Sequence, residues 1–334
     1  MTASPVRPLR VLVWHVHGSW TTSLVHGGHT YLLPTRSSGD CWGRGRAGRP
    51  WPESAVEVPV EELAHTPVDV VVLQRQEELE LVHRWLGRRP GEDVPAVFVE
   101  HNTPKGDVPN TRHPMADRPD LPVVHVTHFN NLVWDTGTAP VVVIPHGIVD
   151  PGERYSGELE RAAVVVNEPV RRWRVTGTDL LPAFARALPL DVFGMGLADL
   201  GRRTGVGEPR LTPVGDLDTA RLHEEMARRR VYLHTARWTS LGLSLLEAMH
   251  LGMPVVALAS TEAVRAVPAE AGVVSADVAE LTSALTELAG DHGLATRMGK
   301  AAREFALDNY GLDSFLHAWD VLFERLLDEW EGVR

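Results

Sequence analysis

Residues Val231–Ala257 combine the types and spacing that could hold a phosphate and a sugar diol. An apolar run from Val231 to Leu233 reads as a strand, and a turn containing Gly242 leads into good helix formers. Gly252 and Pro254 end that helix, and an apolar run from Pro254 to Leu258 starts at once. Gly242 thus stands at a helix mouth, where the first N–H groups, that of Leu243 among them, have no partner inside the helix. Those donors and the positive end of the helix dipole suit an anion such as phosphate. Glu247 follows Leu243 by four residues, on the same face and ~6 Å along the axis. Its carboxylate could accept two hydrogen bonds from a ribose diol one turn beyond a diphosphate. A solvated helix glutamate would give the same pattern, and periodicity leaves both readings open.

Other letter matches fail in their context. Gly43-Arg44-Gly45-Arg46-Ala47-Gly48 fits G-x-G-x-x-G, yet it has neither an apolar strand before it nor a helix after it. It reads as a loop. Asp216-Leu217-Asp218 has the form of a metal-binding D-x-D, but it directly precedes a helical pattern, where Asp218 reads as an N-cap. His223-Glu224-Glu225 opens like H-E-x-x-H, and Ala227 takes the place of the second histidine. His15 and His17 fall on one face of a predicted strand, where two ligands do not make a metal site. They read as hydrogen-bonding histidines at the strand end. Gly242 and Ser244 lack the second glycine of a nucleophile elbow.

The elements that must position these residues are short apolar runs alternating with helical patterns. Predicted strands cover 11–16, 29–33, 68–73, 96–99, 123–126 and 141–144, then 162–166, 191–193, 231–233 and 254–258. Runs apolar on both faces suit parallel strands covered by helices. Helical patterns occupy 77–86, 179–188 and 219–229, and the chain is helical beyond Asp277. The last pattern, Asp313 to Trp330, repeats apolar residues at Phe315, Trp319, Leu322, Phe323 and Leu326. Strand alternating with helix twice over predicts two doubly wound α/β domains. Pro145–Gly152, rich in Pro and Gly after a strand, marks the break. The interval between Val16 and His29 is too short for a crossover helix with its loops. Residues 36–53 and 103–122 read as long surface loops.

Composition narrows the function. At 334 residues the chain has room for about two domains. Its 43% hydrophobic and 23% charged residues are those of an ordinary soluble globular protein. A net charge of 33 − 44 = −11 argues against a nucleic-acid partner. Lys105 and Lys300 are the only lysines, which excludes a Walker A loop and leaves arginine to meet any phosphate. The single Cys41 excludes an internal disulfide and a cysteine-rich zinc site. No apolar run reaches the ~20 residues of a transmembrane helix, although peripheral contact with a membrane stays open. The opening Met1–Pro8 lacks the apolar stretch of a secretory leader, so the expected location is cytoplasmic.

At Thr239–Val256 the sequence resembles the retaining GT-B glycosyltransferases (family-4-like, glycosyl transferases group 1). Their signature runs E-G-F-G-L-x-x-x-E-A-M-A-x-G-x-P-V-V. Here Gly242, Leu243, Glu247, Ala248, Met249, Gly252, Pro254, Val255 and Val256 match, and Thr239 stands where the first glutamate belongs. Weaker matches follow the family's order. Val143–Ile148 resembles the V-I-P-N-G-V linker opening, Gly177–Leu181 the tail of R-x-x-x-x-K-G-x-D-L-L with Thr176 replacing its lysine, and Phe193–Gly196 the strand-end G-x-G. Val99–Asn102 resembles T-x-H-D, Gly18 sits where a Gly-rich loop follows the first strand, and Tyr310–Leu327 resembles the final helix.

The resemblance implies a GT-B architecture: two Rossmann-like, doubly wound parallel-sheet domains facing across a cleft. Residues 1–149, joined by the C-terminal helix 313–334, would form the acceptor side, and 150–312 would bind the nucleotide-sugar. It implies sugar transfer to a hydroxyl of a glycan, lipid-linked or small-molecule acceptor with retention of configuration. The departing diphosphate would help deprotonate the acceptor. Arg171 and Arg172, with Arg174 nearby, would replace the missing lysine at the diphosphate together with the Gly242 and Leu243 amides. Glu247 would hold ribose, while His101, Gly18 and the Thr239 position would meet the sugar. Neither a metal nor another cofactor is expected, since arginine and a helix mouth can carry leaving-group charge. Two other classes fit the departures at Thr176 and Thr239: a binding module that has lost turnover, and a sugar-nucleotide epimerase.

Overall fold

The computed structural model describes residues 7–333. Met1–Val6, on which most of the reading of no secretory leader rests, and Arg334 lie outside the described residues. The chain divides into two compact units, one running to Val149 and resuming at Leu312, the other Asp150–Gly311. Each is built on a single parallel sheet.

The first unit contains β1 (Arg10–Val13), β2 (Thr30–Thr35), β3 (Ala55–Pro59), β4 (Val70–Leu73), β5 (Ala96–Glu100), β6 (Val123–His125) and β7 (Val141–Val143). Their order is β3-β2-β1-β4-β5-β6-β7, with Leu12 opposite Leu32 on one side and Val71 on the other. Helices α1 (Gly18–Leu24), α2 (Glu78–Leu86) and α3 (His128–Val133) belong to the same unit. Residues such as Leu12, Trp14, Val71, Leu73, Val82 and Phe98 form its core.

Two expectations are corrected here. The strand ends at Val13, not Val16, which frees residues 14–29 for a seven-residue helix, α1, between the parallel strands β1 and β2. His15 and His17 consequently lie beyond the strand, His17 as the N-cap of α1. Three strands had no sequence signal: β3, and in the second unit β10 and β13, all at sheet edges. Their part-exposed patterns, with Pro59 and Pro213 inside two of them, lack the two-sided apolar run of a central strand.

The second unit orders β8 (Leu159–Val165), β9 (Leu190–Phe193), β10 (Leu211–Gly215), β11 (Arg229–His234), β12 (Val255–Leu258) and β13 (Gly272–Ser275) as β10-β9-β8-β11-β12-β13. Its helices are α4 (Pro169–Arg172), α5 (Leu181–Ala187), α6 (Leu200–Thr204), α7 (Thr219–Arg228), α8 (Leu243–His250), α9 (Ala263–Ala266), α10 (Val278–Gly290) and α11 (His292–Tyr310). Asp218 caps α7 as expected, accepting the Arg221 N–H at 3.0 Å. The chain then returns to the first unit through α12 (Leu312–Val333). Tyr310 ends α11 rather than opening the final helix, because Gly311 breaks the two apart. On α12, Trp319 meets Trp20 of α1 edge-on at 5.8 Å, and Phe315 lies directly against Gly147. Among the described residues, no helix is long and apolar enough to cross a membrane.

Candidate active site

In both units the strand order reverses beside the first strand, between β1 and β4 and between β8 and β11. Ligands of open parallel sheets bind beyond the carboxyl ends at such reversals, because the connections there depart to opposite faces and leave a crevice.

In the second unit β11 ends at His234, whose ring packs against Gly242: a β-carbon on Gly242 would lie 3.0 Å from Cε1. Burial pushes this imidazole down to about 4, so it is neutral near pH 7. Gly242 heads α8 without a side-chain cap. Its carbonyl accepts the Leu245 N–H at 3.0 Å, while the N–H groups of Leu243 and Ser244 have no acceptor among the described residues. The Tyr232 and Ser244 hydroxyls are 2.8 Å apart, tying the helix mouth to the strand.

Glu247 is 8% exposed, which removes its reading as a solvated glutamate. Across from it lies His223 of α7, with Nε2 3.5 Å from Oε2. That buried nitrogen has no hydrogen-bond partner. Sequence singled out His223 only as a failed zinc motif, and no local signal linked it to Glu247. Thr239 is half-buried on the turn from β11 into α8.

The three candidate arginines follow β8 but differ in their surroundings. Arg171 and Arg174 have side chains 72% exposed and already paired, with Glu168 at 3.4 Å and Asp179 at 3.0 Å. Arg172 is half-buried, and among the described residues no carboxylate pairs with it. Burial and then the neighbouring Arg171 lower its pKa, a sign of uncompensated positive charge. Thr176, in place of the family's lysine, is buried, with its hydroxyl 2.8 Å from that of Thr178 and 3.1 Å from the Trp173 carbonyl. It offers no charge to a ligand. Its carbonyl accepts from Thr235 at 2.7 Å, and Gly177, at φ 69°, packs so closely on the Thr235 carbonyl that a β-carbon would collide. The turn after β8 is thereby fixed to the turn after β11.

In the first unit His101 follows β5 and lies tilted against His17 at 4.2 Å, with Trp20 edge-on at 4.9 Å. The Gln74 amide donates to the Trp14 carbonyl at 2.7 Å, so its oxygen faces the His101 Nε2–H at 3.0 Å and sets the tautomer. Burial, then His17 and His146, hold His101 neutral. Gln74 is itself held by Glu78, which accepts its N–H at 2.6 Å. Gly18 opens α1 beside His17, so the structure brings His101 and Gly18 into one neighbourhood. Among the described residues no three acidic, histidine or cysteine side chains are grouped to hold a metal.

Residues 208–305 match the family model described as glycosyl transferases group 1. The chain carries a glycosyl transferases group 1 segment on a GT-B fold. Sucrose-phosphate synthase from Thermosynechococcus elongatus superposes with a TM-score of 0.69 at 17% identity, over 97% of this chain and 100% of that one. HepE from Anabaena, crystallised with UDP and glucose, gives 0.71 at 13% identity over 95% and 99%. TarM gives 0.59 at 16% identity over 76% of this chain, which spans only 54% of TarM. No curated protein matches the sequence significantly. At these identities the likeness establishes the GT-B fold, and the group 1 segment contains Thr239, Gly242, Leu243 and Glu247 but not the arginines after β8.

Proposed function

We propose that this GT-B chain is a glycosyltransferase that takes a nucleotide-sugar donor on its second unit and an acceptor hydroxyl on its first, with retention of configuration. The observation that carries the reading is the uncapped mouth of α8 with Glu247 buried one turn beyond it. Arg172 and the Gly242 and Leu243 amides meet the diphosphate, Glu247 takes the ribose diol, and His101 with Gly18 faces the transferring sugar. The Thr239 position borders the sugar, and Arg171 and Arg174 add long-range positive charge. As the sugar–oxygen bond breaks, electrons pass to the diphosphate. Its oxygen then takes the acceptor proton on the face where the new bond forms. Neither a metal nor a cofactor enters this scheme, and the work is proposed to occur in the cytoplasm. Incubation with a panel of nucleotide-sugars and acceptors tests it: transfer releases nucleoside diphosphate and forms a glycoside of unchanged configuration.

Glu247→Gln should weaken nucleoside diphosphate binding by about 1.5–3 kcal/mol, the worth of a charged hydrogen bond. A 2′,3′-dideoxy nucleotide should bind both forms alike. Equal affinity of wild type and variant for the parent nucleotide would remove the ribose assignment.

A binding module without turnover is the second reading, favoured by the buried, uncharged Thr176. Thr239 separates the two. In a working transferase Thr239→Glu should lower activity on the true donor, because a longer carboxylate intrudes on the sugar pocket. In a binding module the wild type should bind nucleoside diphosphate as tightly as every nucleotide-sugar tested.

A further inference from the structure

Two arginines stand apart from the rest. Among the described residues that are not fully exposed, only Arg49 and Arg172 have a guanidinium with neither a carboxylate nor a carbonyl partner. Arg172 belongs to the proposed donor site. Arg49 lies in the first unit, and nothing in the reaction scheme so far uses it.

The loop from Arg36 to Glu53 is built to hold Arg49 still. Trp51 is buried, and its Nε1–H donates to Thr22 Oγ1 at 2.8 Å, which donates to the Gly18 carbonyl at 2.8 Å. Arg46 binds the Trp51 carbonyl and, at 3.3 Å, that of Ala55, so its charge is used in shaping the loop. Arg36 is paired with Asp40 at 2.6 Å. The guanidinium of Arg49 is laid against Gly18, where a β-carbon would sit 2.7 Å from Cζ and collide with a terminal nitrogen.

The surroundings do not neutralise this cation. The His15 ring lies tilted against Trp51 at 4.6 Å and donates Nδ1–H to the Gly45 carbonyl at 2.9 Å. Burial keeps its ring neutral, and the nearby Arg49 and Arg44 act in the same direction. Arg44 is exposed and without a partner among the described residues, so both guanidinium groups that act on His15 lack a counter-ion. A partly desolvated cation without a counter-ion is costly, and a planar guanidinium accepts a phosphate or carboxylate through two parallel hydrogen bonds.

We propose that Arg49, assisted by Arg44, is an anion-binding site of the first unit and that the acceptor carries a phosphate or carboxylate group which docks there. The acceptor part rests on the function proposed above. The second unit has its own donors for a diphosphate, so a second guanidinium set on the other unit answers a second anion.

The test is a titration of the full chain, labelled with nitrogen-15 arginine, by inorganic phosphate, by acetate and by UDP, GDP, ADP and dTDP separately. Phosphate or acetate should shift the Arg49 and Arg44 Nε–H signals along one saturating curve. Arg49→Gln should leave Arg44 with only a linear drift, and Arg172→Gln should leave both curves intact. Which of the two anions binds tighter names the acceptor group. The preferred nucleoside diphosphate should saturate the Arg172 signal while leaving Arg49 free to bind phosphate. A linear drift of Arg49 shared by exposed arginines overturns the site. Phosphate binding at Arg49 that disappears once the nucleoside diphosphate is bound assigns Arg49 to the donor and overturns the acceptor claim. A nucleoside diphosphate series that moves neither Arg172 nor Arg49 overturns the proposed donor site alone, and is thus distinguishable from failure at Arg49.

Discussion

Between pH 6 and 5 the first unit is expected to lose at least ~1.4 kcal/mol of stability. Burial, helped by His113, pushes His125 from its ordinary 6.5 to about 3, and burial with His17 does the same to His146. His101 is also held well below 6.5. These rings stay neutral in the folded protein and protonate once it unfolds, so the unfolded chain binds more protons below pH 6.5. Their stabilisation is complete above pH 6.5 and is lost as pH falls toward the folded values. Glu78 acts in the opposite sense. Burial raises it from 4.5 to about 7, despite Arg75, so between those values the folded state binds its proton more tightly. Two histidine protons less one carboxyl proton leave about one, worth ~1.4 kcal/mol per pH unit, and His101, lowered by the same burial, adds to it. His15 and His17, both lowered by burial, add to the loss. Eight of the ten tryptophans lie outside Asp150–Gly311, so urea unfolding followed by tryptophan fluorescence reports mainly on this unit. An unfolding free energy that stays level from pH 7 to 5 would show that these histidines protonate in the folded state.

The second large effect concerns Arg172. Arg172→Ala should lower turnover by about 10²–10³-fold, the usual loss when one preorganised donor is taken from a developing negative charge. The melting temperature should hardly change, since the removed guanidinium has no partner among the described residues and its charge is uncompensated. Arg171→Ala and Arg174→Ala serve as controls, because their side chains are largely exposed and already paired with Glu168 and Asp179. Each should cost less than about threefold, as expected for screened surface charges. Nucleoside without phosphates should bind the Arg172 variant as it binds wild type. An equal loss for nucleoside and nucleoside diphosphate would mean that Arg172 acts through folding, and full turnover would remove it from the site.

What the residues determined by themselves is set by local physics. Central strands such as β4 and β12 are legible because both their faces are buried, which forces uninterrupted apolar runs. The mouth of α8 is legible because a helix start and stop depend on Gly242, Gly252 and Pro254 within one short stretch. Edge strands β3, β10 and β13 were hidden because their exposed positions admit polar residues and proline. Helix α1 was hidden because Trp14 and Val16 extend the apolar run past the last paired residue, Val13. The tertiary structure alone decided which charges are left over. Arg171, Arg172 and Arg174 are alike in sequence, and only the acids brought beside two of them single out Arg172. Glu247 was equally a surface or a buried carboxylate until α7 placed His223 against it. Arg49 became distinct only once Trp51, Thr22 and Gly18 fixed it and Arg46 was used elsewhere. A residue's type sets which partners it can accept, but whether it has one depends on segments far away in the chain, and that is decided by packing.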